Sequence, residues 1–344
     1  ALVVSIPLGY FGGIGAASRR GILFKGSNYL DAITHIDAVV FDKTGTLTRG
    51  VFRVQEVHPF GGLTADELVA WTAAAESGSN HPIARAIGEY AEQQAIMLPA
   101  VRSTEERAGL GLRAMTDRGE LLVGKAALLA QNQVAFPEDI LQIPDTIVVV
   151  ALDGRYAGYL LLADEPKPDA SRAVTALHAL GIRNLCILSG DKSALVGKLA
   201  GQLGISRYFG DLMPEDKVRH IEEFQTKEHA RVAFVGDGLN DAPVLAASRV
   251  GIAMGGLGSD VAIEAADIIL QTDQPSKIAE AIRIGRRTRA VVWQNIIGAL
   301  GVKLLVLALG ASGAATLWEA VFADVGVALL AILNAVRLLS NKKD

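Results

Sequence analysis

The sequence predicts a doubly wound α/β fold that contains an inserted α+β domain and is followed by transmembrane α-helices. Three observations predict this fold class. Three apolar runs each end at or close to an aspartate, and helical patterns lie between them. Continuous apolar runs are typical of strands buried in a parallel sheet, and strands that alternate with helices build doubly wound folds. Two long apolar segments near the end of the chain predict the membrane helices.

Changes in pattern along the chain predict the domain boundaries. The α/β domain is divided between residues 25–50 and 155–280, and the inserted domain occupies 51–154. Residues 1–24 are predicted to be the end of a membrane helix with its stalk, and 290–340 to hold two further membrane helices.

The composition supports membrane segments and excludes some kinds of site. Half of the 344 residues are hydrophobic and the mean hydropathy is positive, which is high for a soluble enzyme. The net charge of −4 gives no reason to expect a nucleic-acid partner. Cys186 is the only cysteine, so an internal disulfide or a metal site built from a cysteine pair is excluded within this sequence. Ala1 opens inside an apolar run without a starting methionine, so we expect a fragment of a longer protein.

The first segment, Ala1 to Ala17, is apolar and rich in glycine, and the basic residues Arg19, Arg20 and Lys25 follow it. This order predicts a membrane helix that emerges on the cytoplasmic side, where basic residues are enriched. A buried helix of a soluble protein is the alternative, because the run is short for a membrane span.

The first buried strand is predicted at Ala38 to Phe41, an apolar run that ends at Asp42. A carboxylate at the carboxyl end of a parallel strand lies at the edge where α/β folds bind ligands. Aspartate is also a competent nucleophile towards phosphorus. Asp42 is therefore the candidate nucleophile, and the alternative is a turn residue that closes the strand.

The insertion has its own pattern, with amphipathic helices predicted at 63–75 and 82–94 and strands at 120–123 and 146–152. It also contains His81, which a proline follows, and the glycine pair Gly109 and Gly111. An imidazole can hydrogen-bond to adenine or stack on it, and glycines let the backbone approach a base or a phosphate closely. The alternative for His81 is the start of a helix, because a proline follows at the first helical position.

The second strand of the α/β domain repeats the pattern of the first. Tyr156 to Asp164 is predicted to be a strand that returns the chain to this domain. Leu185 to Leu188 follows as an apolar strand and ends at Ser189, Gly190 and Asp191. The Ser189 hydroxyl and the amides after it are candidates to hold phosphate oxygens.

The third strand ends before Asp237, and Asn240 and Asp241 follow. Two carboxylates near Asp42 would supply the hard oxygen ligands that Mg²⁺ prefers. Lys217 lies early in the charged helix that precedes this strand. Lys217 is a candidate for a functional role, and the alternative is that it lies on a solvated helix face, which is the usual environment of a lysine.

The last two apolar stretches, 291–311 and 317–339, are each long enough to span a bilayer. Basic residues flank their outer ends, so a hairpin with both ends in the cytoplasm is predicted. Lys303 and Asp324 fall at similar depth, and charges inside a membrane segment indicate a functional site. A structural ion pair is the alternative. Glu319 lies nearer the turn and is expected to reach the membrane interface.

The segment from Asp42 to Thr48, Asp-Lys-Thr-Gly-Thr-Leu-Thr, resembles the phosphorylation motif of P-type ATPases. These are ion pumps built on a haloacid-dehalogenase-like domain, and the resemblance extends over nearly the whole chain. Residues 76–82 resemble the nucleotide-binding His-Pro motif of heavy-metal pumps, with Asn80 where the family often has glutamate. Lys167 stands where the family usually has arginine, and residues 255–260 resemble a further segment for which we expect a tight turn.

The resemblance implies a role for each matching residue. Asp42 would accept the γ-phosphoryl group of ATP, and Asp42, the Thr44 carbonyl and Asp237 would hold Mg²⁺. The other residues implied in the catalytic site are Lys43, Thr44, Ser189, Gly190, Asp191, Lys217, Asn240 and Asp241. The residues implied in nucleotide binding are Glu76, His81, Gly109 and Gly111.

The membrane segments are similar to those of pumps that export zinc, cadmium or lead, which carry a lysine and an Asp-x-Gly, here Lys303 and Asp324-Val-Gly. The resemblance implies ATP-driven export of Zn²⁺, Cd²⁺ or Pb²⁺ across the plasma membrane by a multi-pass protein that contacts membrane lipid and has cytoplasmic catalytic domains. It also implies an actuator domain and membrane helices upstream, with a Cys-Pro-Cys metal site before Ala1.

Three alternatives remain open at this point. A soluble phosphatase or phosphotransferase of the same superfold would usually carry a second aspartate where Thr44 stands, so Thr44 favours an intermediate that persists. A copper pump would have different polar residues in the membrane helices. A membrane-anchored nucleotide sensor would bind ATP without forming a phosphoenzyme.

Overall fold

A computed structural model describes residues 2–79, 81–255, 260–314 and 316–339. The chain divides into two compact units, one made of residues 1–47 with 167–344 and the other of residues 48–166.

Strands and helices are numbered in chain order. The strands are β1 (Ile22–Phe24), β2 (Ala38–Asp42), β3 (Thr48–Pro59), β4 (Val101–Arg107), β5 (Gly111–Thr116), β6 (Gly119–Gly124), β7 (Thr146–Leu152), β8 (Arg155–Pro166), β9 (Asn184–Leu188), β10 (Arg207–Phe209), β11 (Val232–Gly236), β12 (Val250–Met254) and β13 (Ile268–Leu270). The α-helices are α1 (Leu2–Ser18), α2 (Ser27–Ala32), α3 (Ala65–Glu76), α4 (Pro82–Gln93), α5 (Ala126–Gln131), α6 (Ala170–Ala179), α7 (Ser193–Leu203), α8 (Pro214–Thr226), α9 (Ala242–Ala247), α10 (Asp260–Ala265), α11 (Lys277–Ala311) and α12 (Leu317–Val336).

The first unit is built on a seven-stranded sheet with the order β1-β13-β12-β11-β2-β9-β10. The central strand β2 pairs in parallel with β11 on one side and with β9 on the other. Phe41 is thereby opposite Val235 and Ile187. The carboxyl ends of the three predicted strands therefore meet at one edge of the sheet, which confirms the doubly wound fold.

Alternate residues of these strands face two separate hydrophobic cores. Val39 and Phe41 of β2 lie in one core, together with residues of α6, α7 and α11. Val40 lies in the other core, together with residues of α8 and α9. Cys186 of β9 is buried in the second core, and burial raises the pKa of its thiol to about 12. This cysteine is a packing residue because the thiolate is disfavoured there.

The second unit is built on an antiparallel sheet with the order β3-β8-β7-β6-β5-β4. Helices α3 and α4 pack against one face of it, and α5 packs against the other. Thr64 begins α3 with a capping box, because its side chain accepts from the Glu67 amide while the Glu67 carboxylate accepts from the Thr64 amide. The predicted helices at 63–75 and 82–94 correspond to α3 and α4.

The boundary of the insertion differs from the predicted one at residue 154. Residues 155–166 form β8, which was predicted as a strand of the α/β domain but pairs antiparallel with β3 and β7. Leu160 and Leu162 of this strand are buried in the core of the second unit. These pairings hold the strand in the insertion, so the chain returns to the first unit only at Lys167.

The predicted membrane helices are present as α11 and α12, and both are long and apolar enough to cross a membrane. Helix α11 does not begin near residue 291 as predicted but runs unbroken through the preceding basic stretch, for 35 residues. At 1.5 Å per residue it is about 50 Å long, which exceeds the ~30 Å hydrocarbon core of a bilayer. Its first turns therefore belong to the α/β domain.

Helices α1, α11 and α12 pack against one another. At Gly13 of α1 an added Cβ would overlap Thr288 of α11, so a side chain there would prevent this close approach. Asn295 of α11 is buried and donates to the Ala331 carbonyl of α12 at 3.0 Å. Asn334 donates in turn to the Asn295 side-chain oxygen at 2.9 Å. Hydrogen bonds thus join the two long helices where the apolar part of α11 begins.

Candidate active site

Asp42 is the last residue of β2 and is buried. The chain then turns sharply, with Thr44 extended and Gly45 at a φ of +73°, in the left-handed region that favours glycine. A Cβ at Gly45 would overlap the carboxylate of Asp237, so glycine lets the end of β11 approach the turn. The motif sequence therefore fixes both the position of Asp42 and the close approach of a second carboxylate.

Lys217 contacts two carboxylates at the edge of the sheet. Its Nζ donates to Oδ1 of Asp42 at 2.6 Å and to Oδ1 of Asp241 at 2.9 Å, and all three residues are buried. The lysine lies in the first turns of α8, which begins at Pro214. Asp216 accepts from the backbone amide of Met213 at 3.0 Å and so caps this helix. The solvated-face alternative for Lys217 is therefore wrong.

Asp42, Asp237 and Asp241 form a carboxylate cluster. One oxygen from each lies within 4.8 Å of the others. Burial raises the pKa of Asp42, the Asp241 carboxylate raises it further, and Lys217 acts in the opposite direction. Burial and Asp241 likewise raise the pKa of Asp237 to about 6. Burial disfavours the charged form of Lys217, but Asp42 and Asp241 outweigh it and raise the lysine pKa.

This cluster fits a magnesium ion. Three carboxylates around one ammonium group leave an excess of negative charge, and hard oxygen ligands are those that Mg²⁺ prefers. The resemblance implied Asp42 and Asp237 as ligands, and Asp241, the second carboxylate expected near Asp42 from the sequence, lies in the same cluster. Ligation by the Thr44 carbonyl stays a prediction.

The end of β9 supplies a second group of predicted residues. Ser189 is buried, and its Oγ accepts from the Asp191 amide at 3.2 Å. Lys43, directly after the nucleophile, donates to the Asp191 carboxylate. The Lys43–Asp191 ion pair thus joins the end of β2 to the end of β9. Gly190 lies between Ser189 and Asp191 in the sequence, and a Cβ on it would approach the Leu212 carbonyl to 3.2 Å.

Asn240 is not joined to this group in the part of the chain that the structure describes. It lies exposed in the short turn of residues 239–241, and no hydrogen bond connects its side chain to the carboxylates. Its catalytic role stays a prediction.

Lys167 and Asp273 form a contact that the sequence analysis missed. The side chain of Lys167 is 2% exposed, and its Nζ donates to the Gly45 carbonyl and to Oδ1 of Asp273 at 2.6 Å. This lysine therefore holds the turn that follows the nucleophile. Asp273 follows β13 and is distant from Lys167 in sequence, so no local pattern indicates the pair.

The predicted nucleotide-binding residues all lie in the second unit. Glu76 ends α3, where burial raises the pKa of its carboxyl group to about 7. The ring Nδ1 of His81 accepts from the Ile83 amide at 3.2 Å, which makes His81 the N-cap of α4, and Pro82 is at the first helical position. The helix-start alternative is thus present in the structure, and adenine binding by His81 stays a prediction.

Gly109 and Gly111 lie where β4 turns into β5, both with positive φ, of +74° and +139°. A Cβ at Gly111 would overlap the Val123 carbonyl, so this glycine allows a close approach of β5 to β6. Asn80 and residues 256–259 of the predicted turn lie outside the described residues.

Comparisons with known proteins identify the family of this chain. The family model of haloacid dehalogenase-like hydrolases matches residues 36–249. The catalytic domain of the CPx-ATPase CopB-B is similar in structure, with a TM-score of 0.62 and 33% identity over 77% of this chain and 97% of that domain. The chain belongs to the haloacid dehalogenase-like hydrolases and, within them, to the CPx-ATPases.

Several metal-transporting ATPases are similar to nearly the whole chain. A zinc-transporting ATPase of Synechocystis is 52% identical over 98% of this chain and 46% of its own length. A cadmium, zinc and cobalt-transporting ATPase of Bacillus subtilis is 52% identical over 99% of this chain and 49% of its own length. The crystal structure of a zinc-transporting PIB-type ATPase in the E2.Pi state gives a TM-score of 0.89 at 37% identity, covering 98% of this chain and 56% of the other. The chain spans about half the length of the curated relatives it matches.

Lys303 and Asp324, predicted to lie at similar depth in the two long apolar helices, line one groove. Lys303 of α11 and Asp324 of α12 both border a space of about 200 Å³ with otherwise apolar walls. Within the described residues no ion pair joins them. Glu319 instead caps α12, since its carboxylate accepts from the Thr316 amide at 2.6 Å. The shared groove places the predicted pair on one face of the two helices.

Proposed function

We propose that this chain is the carboxy-terminal portion of a pump that exports divalent heavy-metal ions, driven by ATP through an aspartyl-phosphate intermediate. The observation that carries the proposal is the contact of Lys217 with Asp42 at 2.6 Å, within a cluster of three carboxylates at the end of a parallel strand. A buried nucleophile that a fixed cation holds in place fits phosphoryl transfer, where catalysis is mostly positioning and charge stabilisation.

In the proposed reaction an oxygen of the Asp42 carboxylate attacks the γ-phosphorus of ATP. The new phosphorus–oxygen bond forms as the bond to the β-phosphate oxygen breaks, and ADP leaves with that electron pair. Lys217 holds the attacking carboxylate in place and offsets the negative charge on the transferred group. The Ser189 hydroxyl and the Thr44 side chain are proposed to donate to the phosphoryl oxygens.

Magnesium would be held by Asp42, Asp237 and the Thr44 carbonyl, with Asp241 beside them. When bound, it would neutralise charge on the phosphate oxygens. Asp241 then acts as a positioning residue, because it fixes the lysine that contacts the nucleophile. Lys167 positions the turn through the Gly45 carbonyl.

A phosphatase of the same family is the alternative activity. Such an enzyme needs an acid–base group beside the nucleophile, which accepts a proton from the attacking water when the phosphoenzyme is hydrolysed. Thr44 occupies the position where the phosphatases carry an aspartate, and its hydroxyl is a poor proton acceptor. The proposed phosphoenzyme therefore persists long enough to be isolated.

The transported ion is proposed to be Zn²⁺, Cd²⁺ or Pb²⁺. The relatives that match almost all of this chain are named as transporters of zinc, cadmium and cobalt. Asp324 offers a hard oxygen ligand, and Lys303 across the same groove offers a charge that can pair with the carboxylate after the ion has left. We place the pump in the plasma membrane with the α/β domain and the second unit in the cytoplasm, since basic residues follow α1 and fill the first turns of α11.

The test is phosphorylation of the full-length protein with γ-labelled ATP and Mg²⁺. The label should be stable in acid and released by hydroxylamine, as expected for an acyl phosphate. Asp42→Asn should abolish it, because an amide is a poor nucleophile. Asp153→Asn is a matched control, since Asp153 is exposed in the second unit at a positive φ that asparagine tolerates. Full labelling of Asp42→Asn would refute the proposal, and ATP binding without any label would favour the nucleotide sensor.

A further inference from the structure

A basic groove lies where the end of α1 meets α11 and the last turn after α12. It has a volume of about 600 Å³. Six basic side chains line it, and they come from three separate parts of the first unit. They are Arg19, Arg20, Arg172, Lys277, Arg283 and Arg287.

A single carboxylate, that of Glu280, lies among these six cations. It accepts from Arg20 at 2.9 Å and from Lys277 at 2.8 Å, so two of the cations already share it. Arg283 and Arg287 have no ion-pair partner among the described residues. Four positions apart on α11, they lie on the same side of the helix, where like charges repel each other. The groove therefore carries positive charge that this part of the chain does not neutralise.

The groove also has an apolar wall. Leu338 and Leu339, at the end of α12, line it together with Ala16 of α1. Arg19 donates to the Leu339 carbonyl at 2.8 Å and so fixes this wall to the end of α1. The exposed apolar surfaces of α11 and α12 begin next to it, for example at Leu333, and continue away from the basic residues.

We propose that this groove binds the headgroup phosphate of an anionic phospholipid, such as phosphatidylglycerol, from the cytoplasmic leaflet. The guanidinium groups of Arg283 and Arg287 bind the phosphate, because arginine matches phosphate oxygens in charge and geometry. The acyl chains lie along the apolar surface that starts at Leu338 and Leu339. Basic sites between membrane helices on the cytoplasmic side are typical of anionic lipid binding. The inference rests on the proposed function only in requiring that α11 and α12 span the membrane.

The experiment measures equilibrium binding of labelled lipid to the full-length protein in neutral detergent, without ATP or transported metal. Labelled phosphatidylglycerol is compared with labelled phosphatidylcholine, whose headgroup has no net charge. In the variant Arg283→Gln/Arg287→Gln the preference for phosphatidylglycerol should fall about 30-fold. Each basic residue near an anionic lipid contributes about 1 kcal/mol to binding, so the two arginines contribute about 2 kcal/mol. A tenfold change in affinity corresponds to about 1.4 kcal/mol, which gives the factor of about 30.

Two further variants separate charge from folding. Arg283→Lys/Arg287→Lys keeps the charge and should keep most of the preference. Arg102→Gln/Lys227→Gln removes the same charge from exposed surface pairs, at side chains that are 72% and 71% exposed, and should leave the preference unchanged. Loss of the preference in this control, or retention of it in Arg283→Gln/Arg287→Gln, would overturn the proposal.

Competition distinguishes a lipid from a free anion. Unlabelled phosphatidylglycerol should displace the label, and inorganic phosphate should not, because it lacks the acyl chains. Displacement by phosphate alone would mean that the groove takes a soluble phosphate group and not a lipid. Absence of any lipid preference in the full-length protein would mean that another part of the protein covers the groove. Either result overturns the lipid assignment while leaving phosphorylation of Asp42 intact, so the two proposals fail independently.

Discussion

Glu76 should make the stability of the second unit depend on pH. The residue is half-buried at the end of α3, and burial raises the pKa of its carboxyl group to about 7, with the Ser79 side chain acting in the opposite direction. In an unfolded chain a glutamate titrates near pH ~4.3. Between these values the folded unit binds more protons than the unfolded chain, so its free energy of unfolding falls as the pH rises.

The size of the effect follows from the two pKa values. A change from the ordinary 4.5 to about 7 corresponds to about 3 kcal/mol, at 1.36 kcal/mol per pKa unit. Solvent screens a half-exposed carboxylate, so we expect about 1–2 kcal/mol between pH ~4.5 and pH ~8. Glu76→Gln has nearly the same shape but does not titrate. The variant should therefore lack this loss and be more stable than the wild type at the upper end of the range.

The assay is urea unfolding of residues 48–166, which have their own sheet and two hydrophobic cores. Trp71 is buried in α3 and is the only tryptophan of this segment, so its fluorescence reports unfolding. Glu92→Gln is the matched control, because Glu92 is exposed on α4. Equal loss of unfolding free energy with pH in the wild type and in Glu76→Gln would show that the burial of Glu76 has no such consequence.

Four further predictions concern the proposed phosphorylation site, the proposed adenine site and the metal groove. Lys217→Met should slow phosphorylation of Asp42 by about 10²–10³-fold, because it removes one preorganised donor that stabilises charge. Rapid-quench labelling would measure the rate, and an unchanged rate would contradict the role of the lysine. Lys167→Met should slow the same step without changing ATP affinity, measured by calorimetry, and a matching loss of affinity would point to general unfolding. His81→Ala should remove the cap of α4 and lower the free energy of unfolding in urea by about 1 kcal/mol. The variant should also lose the adenine-dependent NMR shifts near α4, and shifts that persist elsewhere would limit His81 to capping. In the full-length protein, Asp324→Ala should lose zinc-stimulated ATP hydrolysis and keep ATP binding, so intact stimulation would make this carboxylate structural.

The central strands of the first unit could be predicted because buried parallel strands are apolar throughout. The runs at β2, β9 and β11 can therefore be recognised as buried strands from their own residues. The prediction placed β8 in the wrong unit for a related reason. Its apolar residues show that it is a strand, but the choice of sheet depends on pairing with β3, a long strand of mixed polar and apolar residues that was not predicted.

The limits of the site prediction are also physical. Asp42, Lys217 and Asp237 lie in or near local motifs, so the resemblance located them. The Lys167–Asp273 pair depends on two chain segments that meet only in the folded unit. The start of α11 was placed too late because only the apolar stretch from residue 291 was used to locate the helix. Arginines are good helix formers, and no proline interrupts residues 277–311, so the helix continues through them.

Both crossings of the chain between the two units lie beside the candidate nucleophile. The first unit leaves at Leu47 and resumes at Lys167, and the Lys167 amide donates to the Leu47 carbonyl at 2.9 Å. The side chain of the same lysine donates to the Gly45 carbonyl, in the turn that follows Asp42. The residue at which the first unit resumes is therefore hydrogen-bonded both to the residue at which it leaves and to that turn. Gly45 also allows the close approach of Asp237, so a displacement of the turn would move a proposed magnesium ligand relative to the nucleophile. For this reason the Lys167→Met variant is expected to affect phosphoryl transfer and not ATP affinity.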